Sequence, residues 1–130
     1  MKNILILGAL PKKKEDEELY NVMIEVCEKF GKVKSPINTA NFKGSDKEKY
    51  ERAFKLVKEA DLVIGEQSNA STGQGMEIRE CAILSKPLIV VAKEGSKVSS
   101  LVKGCPVTKE IIYYNDLEDL KGKLKGVLNG

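Results

Sequence analysis

The sequence predicts an α/β protein in which helices cover both faces of a five-stranded parallel sheet with strand order 2-1-3-4-5. Short apolar runs alternate with amphipathic stretches along the whole chain. The strand-like runs are apolar on both faces, which is typical of buried parallel strands. Five βα units of this kind favour a flavodoxin-like (Rossmann-like) arrangement.

The predicted elements follow one another without a linker or a repeat. The strands are expected at residues 4–7, near residue 33, and at residues 62–65, 88–92 and 111–114. The first helix is predicted over residues 15–30, because Leu19, Met23, Val26 and Phe30 form one apolar stripe before Gly31.

The later helices also have recognisable starts. Residues 45–48, Ser-Asp-Lys-Glu, form a capping box that opens the second helix, whose apolar face is predicted to be Tyr50, Phe54 and Val57. Further helices are expected at residues 74–85, at 98–103 and from 116 onward. The loop of residues 35–44 is longer than a simple connection needs.

Bulk composition indicates an ordinary globular protein. The 130 residues suit a single domain, residues 1–130. No apolar run is long enough to cross a bilayer, and the first strand is too short for a signal peptide, so we expect a cytoplasmic protein without a membrane partner. A net charge of +3 is too small to indicate nucleic-acid binding.

The absence of histidine narrows the possible chemistry. It excludes Ser-His and Cys-His catalysis and the usual zinc sites, and it leaves carboxylates as the predicted catalytic groups. The three cysteines have no metal-ligand spacing, and Cys27 and Cys81 fit buried helix positions. We expect neither a metal nor another cofactor.

In sheets of this topology, ligands bind beyond the carboxyl ends of the strands. Three loops reach that edge, at residues 8–14, 66–75 and 93–99. The second loop carries Ser71, Gly73 and Gly75 directly before a helix, where small residues let backbone N–H groups approach an anion. A flexible connection would explain the loop about as well.

Glu77 follows in what is predicted to be the first turn of that helix. Nearby N–H groups would favour its ionised form and lower its pKa, as a nucleophile requires. Spacing alone favours a routine acidic residue near a helix start.

The string ADLVIGEQSNASTGQGMEI, residues 60–78, resembles the signature of the nucleoside 2-deoxyribosyltransferase superfamily. That signature has an Ala-Asp strand, an acidic residue, a Ser/Pro loop and then Gly-x-Gly-aromatic-Glu. The resemblance extends over most of the chain. It implies that Glu77 attacks C1′ of the sugar and displaces the base, after which water or a second base resolves the glycosyl-enzyme.

The resemblance is nearest to the 2′-deoxynucleoside 5′-monophosphate N-hydrolase branch. Six residues before the glutamate the transferases tend to have an acid, whereas this branch has a serine, here Ser71. An acid would repel a 5′-phosphate that a hydroxyl and glycine amides accept. The branch also takes a phosphate-binding serine from the neighbouring subunit, and Ser99 matches its context. This implies a homodimer with shared sites, although capping of a helix by Ser96 explains the local serines equally well.

The chain departs from the family's pattern at several positions. Leu5 occupies the slot of a strand tyrosine, Ala53 that of a helix aspartate, and Met76 that of the aromatic residue. The first loop lacks the family's serine and arginine, although Lys12 or Lys13 could replace the charge.

The predicted activity is therefore N-glycosidic hydrolysis of a (deoxy)nucleoside 5′-monophosphate through a Glu77 glycosyl-enzyme. The predicted substrate-binding residues are Gly8, Lys12, Ser71, Gly73, Gly75 and Ser99. Two alternatives stay open: a nucleoside 2-deoxyribosyltransferase that exchanges bases, and a nucleotide-binding module without catalysis, which Ala53 and Leu5 favour.

Overall fold

A computed structural model describes residues 2–39 and 41–130. Five parallel strands form one sheet in the order β2-β1-β3-β4-β5, as predicted. They are β1 (Lys2–Leu7), β2 (Gly31–Lys34), β3 (Leu62–Glu66), β4 (Leu88–Lys93) and β5 (Thr108–Tyr114). Successive strands are added in one direction from β1 to β2 and in the opposite direction from β3 onward, so the topological switch point lies between β1 and β3. This is where the sequence predicts a ligand.

Four long helices and two single-turn helices join the strands. They are α1 (Lys14–Cys27), α2 (Pro36–Thr39), α3 (Asp46–Glu59), α4 (Thr72–Ile83), α5 (Ser100–Lys103) and α6 (Leu117–Asn129). The capping box predicted for α3 is present, because Glu48 N–H donates to Ser45 Oγ and Ser45 N–H donates to the Glu48 carboxylate.

The sheet separates two apolar cores. Alternate residues of β1 point to opposite faces, so Ile4 and Ile6 pack with α1 and α6, whereas Leu5 and Leu7 pack with α3, α4 and α5. Both cores continue across β3 and β4, whose residues 62–66 and 88–92 are buried. Packing on both faces explains the apolar runs at residues 4–7, 62–64 and 88–92.

The structure differs from the sequence prediction in some details. Tyr50, predicted to lie on the apolar face of α3, is 56% exposed and stacks on Phe54 instead. The long loop after β2 contains α2, and Ala40 within it lies outside the described residues. Cys27 and Cys81 are buried as predicted. In the part of the chain described, no helix combines the length and the apolar character needed to cross a membrane.

Candidate active site

A cavity of about 580 Å³ opens between α3 and α4 at the carboxyl end of β1. We call it the α3–α4 cavity. Its floor is β1 and the following loop, and the loop after β2 closes one side. The lining residues are Leu5, Ile6, Leu7, Gly8, Ala9, Leu10, Lys12, Ser35, Pro36, Thr39, Phe42, Lys49, Arg52, Ala53, Leu56, Ser71, Gly73, Gln74 and Glu77.

The structure brings five of the seven predicted site residues together in this cavity, namely Gly8, Lys12, Ser71, Gly73 and Glu77. Gly75 and Ser99 do not line it. The N–H of Gly75 donates to the carbonyl of Ser71 at 3.1 Å within α4, so it is not free to bind an anion. Leu5 and Ala53, which replace family residues, both face the cavity.

Glu77 lies two residues deeper in α4 than predicted. The helix begins at Thr72, so Glu77 is in its second turn, where the effect of the helix dipole has faded. Partial burial dominates instead and raises the pKa of Glu77 from 4.5 to about 7. The sequence prediction of a lowered pKa is therefore wrong.

The start of α4 has the form of an anion site. Ser71 is the N-cap, and its Oγ accepts from Gln74 N–H at 3.2 Å, which leaves the Ser71 hydroxyl hydrogen free to donate. The amides of Thr72 and Gly73 belong to the first turn, which has no carbonyl partners within the helix. A Cβ added to Gly73 would meet nothing within 4 Å, so open space lies beside these amides.

Gly8 has a packing reason to be glycine. A Cβ at this position would lie 2.2 Å from the Tyr20 hydroxyl oxygen. Tyr20 is buried, and its hydroxyl donates to the carbonyl of Ala9 at 2.6 Å. Gly8 thus lets Tyr20 support the loop that forms the cavity floor.

Two functional candidates, Gln74 and Arg52, were not found by sequence reasoning. Gln74 is 1% exposed and accepts from the Nε2 of buried Gln67. Gly65 provides the space for it, since a Cβ there would lie 3.3 Å from Gln74 Oε1. The sequence signal for this buried pair was Gly65 near the end of β3, followed by Gln67 and Gln74.

Arg52 projects from α3, and its guanidinium carbon lies 4.7 Å from the centroid of the Phe42 ring. Its neighbour Ala53 also lines the cavity and carries no charge. The charged residues that line the cavity give it a net positive charge. Among the described lining residues, Lys12, Lys49 and Arg52 are cationic and Glu77 is the sole acid.

The loop between β3 and α4 is anchored on the opposite face of the sheet. Glu66 is 2% exposed, and its carboxylate accepts from Ser68 N–H at 2.8 Å, Ser68 Oγ at 2.7 Å and the Tyr114 hydroxyl at 2.8 Å. The backbone N–H of Lys93 donates in turn to Ser68 Oγ. These bonds tie the ends of β3, β4 and β5 together beside the candidate site.

Ser99 lies on the surface, away from its own chain's cavity. It caps α5, because its Oγ accepts from Leu101 N–H at 3.2 Å, so the alternative prediction of capping by Ser96 is wrong. Ser96 and Lys93 instead line a separate recess of about 510 Å³.

No protein-family model matches the chain, but individual curated proteins do. It is 33% identical over 89 residues to a candidate 2′-deoxynucleoside 5′-phosphate N-hydrolase 1 of Thermofilum pendens, covering 65% of this chain and 61% of that protein. It is 24% identical over 112 residues to the 5-hydroxymethyl-dUMP N-hydrolase of Mus musculus, covering 78% and 65%. The chain thus spans somewhat less than two thirds of the length of each.

Two solved structures share the fold. The CMP N-glycosidase of Clostridium botulinum superposes with a TM-score of 0.77 at 22% identity, covering 97% of this chain and 99% of that one. The 2-deoxyribosyltransferase of Bacillus psychrosaccharolyticus gives 0.70 at 18% identity, covering 97% and 95%. These two structures show that the fold is shared, and the curated relatives support the resemblance to the nucleoside 2-deoxyribosyltransferase superfamily and to its 2′-deoxynucleoside 5′-monophosphate N-hydrolase branch.

Proposed function

We propose that the protein hydrolyses the N-glycosidic bond of a nucleoside 5′-monophosphate and that Glu77 is its nucleophile. One observation carries the proposal: Glu77 is the sole acid among the described lining residues of a cavity that also holds three cations and an open helix N-terminus. The curated relatives bear the names of 5′-nucleotide N-hydrolases, which supports the same reaction.

The chemistry is a double displacement. Ionised Glu77 forms a bond to C1′ while the bond from C1′ to the base nitrogen breaks, and the electron pair leaves with the base. Water then attacks C1′ and loses one proton to the solvent, while the bond from C1′ to Glu77 breaks; this restores the Glu77 carboxylate and releases the sugar phosphate. Because no second carboxylate lines the described cavity, the departing base takes its proton from water.

The 5′-phosphate is assigned to the start of α4. The Ser71 hydroxyl and the Gly73 amide are free to donate, the helix dipole favours an anion there, and Lys12 lines the same cavity. A charge-assisted hydrogen bond contributes roughly 1.5–3 kcal/mol, so each lost contact weakens binding about tenfold or more. Ser71→Asp should therefore weaken nucleotides far more than nucleosides. Free nucleosides processed better than nucleotides by the wild-type protein would contradict this assignment.

The activity is tested by incubating the protein with each nucleoside monophosphate and measuring free base. Glu77→Gln keeps the shape, loses the nucleophile and should release no base. Glu80→Gln is the matched control, because Glu80 lies on the same helix outside the cavity lining. Full activity of Glu77→Gln would refute the mechanism.

The same assay separates the alternatives. Base exchange on adding a second base would identify a transferase, and tight nucleotide binding without base release would identify a binding module. In a quenched turnover of the wild type, the mass of one sugar phosphate on the peptide containing Glu77 is the expected sign of the glycosyl-enzyme.

We also propose a homodimer whose sites are completed by Ser99 of the neighbouring copy. Ser99 is exposed at the start of α5, and the adjacent Leu101 is 87% exposed, which leaves an apolar side chain available for an interface. Glu77→Ala and Ser99→Arg chains, each inactive alone, should recover activity when mixed, because a mixed dimer has one intact site. Mixed chains that exchange subunits and stay inactive would contradict it. The cytoplasmic location stays a prediction from the sequence.

A further inference from the structure

Two buried polar atoms lack a hydrogen-bond partner within residues 2–39 and 41–130, and both belong to the α3–α4 cavity. They are Arg52 Nε and Gln74 Nε2, and both are donors. Both atoms are enclosed by protein, so an acceptor in the cavity would reach them only after a small side-chain movement. Because a buried donor without a partner is costly, such a movement toward an acceptor on the α3 side of the cavity would be favourable.

Arg52 is held in place without being neutralised. Residues 49, 52, 53 and 56 form one row along α3 that faces the cavity. The guanidinium is supported by the Phe42 ring at 4.7 Å, while the ion pairs of the described chain all involve other residues. Ala53, the next residue, offers no carboxylate. Arg52 is thus a fixed and unpaired cation.

The depth of Arg52 assigns it to the base rather than to the phosphate. Both α3 and α4 begin at the ligand edge and run back along the sheet, because each lies between parallel strands. Arg52 is the seventh residue of α3 and Glu77 the sixth of α4, so each lies in the second turn of a helix that begins at the ligand edge. When the phosphate of a nucleotide lies at Ser71 and its C1′ at Glu77, its base lies against the α3 side of the cavity.

We propose that Arg52, backed by Phe42, is the base-binding residue and selects bases with two adjacent acceptor atoms. A guanidinium has only donors, in a planar fork that fits two neighbouring acceptors. Cytosine offers O2 beside N3, and guanine offers O6 beside N7. Adenine and uracil place a donor next to each acceptor on their Watson–Crick edges and so fit the fork less well. This proposal rests on the proposed function for the identity of the ligand.

The same contact helps the reaction. When the C1′–N bond breaks, its electron pair and a negative charge remain on the base, shared between the ring nitrogens and the carbonyl oxygen. Arg52 bound to those acceptors stabilises this charge, and its guanidinium cannot be deprotonated, so it acts by electrostatics and not by proton transfer. The base then takes a proton from water.

The test measures binding and so does not depend on turnover. In a Glu77→Gln background, calorimetry gives the dissociation constants of CMP, GMP, UMP, AMP and ribose 5-phosphate, with and without Arg52→Gln. We expect CMP or GMP to bind best and to lose about 5- to 150-fold in affinity, while ribose 5-phosphate is unchanged. Arg79→Gln on the exposed side of α4 is the matched control and should change nothing.

Two results would overturn the proposal. Equal weakening of ribose 5-phosphate and nucleotides by Arg52→Gln would place Arg52 at the phosphate, and equal affinity for all four nucleotides would remove its role in selection. Arg52→Lys keeps the charge but loses the fork, so it should retain nucleotide binding with reduced base preference, which also covers the case that Arg52→Gln does not fold. If wild-type protein releases no base but the affinity contrast is found, the proposed hydrolysis fails and the base-binding role stands.

Discussion

Replacing Glu77 by Gln should stabilise the protein at alkaline pH while inactivating it. Burial raises the pKa of Glu77 to about 7 in the folded chain, against an ordinary value of 4.5. The folded state therefore holds this proton more tightly than the unfolded state does. The resulting stability is fully present below about pH 4.5 and is lost as the pH rises through 7.

The size of the effect follows from the two pKa values. At about 1.4 kcal/mol per pKa unit, the difference between 4.5 and about 7 corresponds to about 3 kcal/mol. Solvent reaches part of the side chain and screens its charge, so we expect roughly 1–3 kcal/mol. Glutamine never ionises, and the variant should avoid this cost. At pH 8.5 its melting temperature should exceed that of the wild type by roughly 3–10 °C.

The assay is denaturant unfolding of wild type and Glu77→Gln at pH 5 and pH 8.5. The free energy of unfolding of the variant should exceed that of the wild type at pH 8.5, and most of the difference should vanish at pH 5. Glu80→Gln serves as the control for removing a charge from α4 outside the cavity lining. A difference that is equal at both pH values, or a wild type that is more stable at pH 8.5, would refute the reasoning.

Three further predictions concern activity and packing. If ionised Glu77 is the nucleophile, kcat/KM should rise about tenfold per pH unit below a midpoint near 7, and a flat profile between pH 5 and 8 would contradict this. Gly8→Ala should lower the free energy of unfolding by about 1–3 kcal/mol in urea, because its Cβ would collide with Tyr20, and an unchanged midpoint would argue against that packing. Tyr114→Phe should cost about 1–3 kcal/mol in the same assay, because buried Glu66 loses a donor; no loss would mean that this bond is not important.

The topology and the location of Glu77 were predictable because they depend on local patterns. Apolar runs and helix stripes indicate five βα units, and the known geometry of such sheets places the loops after β1 and β3 at one edge. The capping signals of α3 and α6 are equally local: Ser45 and Asp116 cap these helices as their sequences indicate.

The electrostatics of the site could not be predicted in this way. The pKa of Glu77 depends on how far the folded chain buries its carboxyl group, and a shift of two residues in the start of α4 moves it out of the first turn. The unpaired donors of Arg52 and Gln74 are also tertiary properties, since they depend on which partners other segments do not supply. A sequence pattern does not show whether a side chain lacks a hydrogen-bond partner in the folded chain.

The bonds around Glu66 have a consequence for how strongly the protein can hold an anion. They fix the strand end from which the β3–α4 loop departs, so the donors at the start of α4 are held in place before a ligand arrives. Little conformational entropy is then lost when the ligand binds, and more of the contact energy appears as affinity. Residues on the far side of the sheet would thereby help to set the affinity of the site for the proposed 5′-phosphate without contacting it.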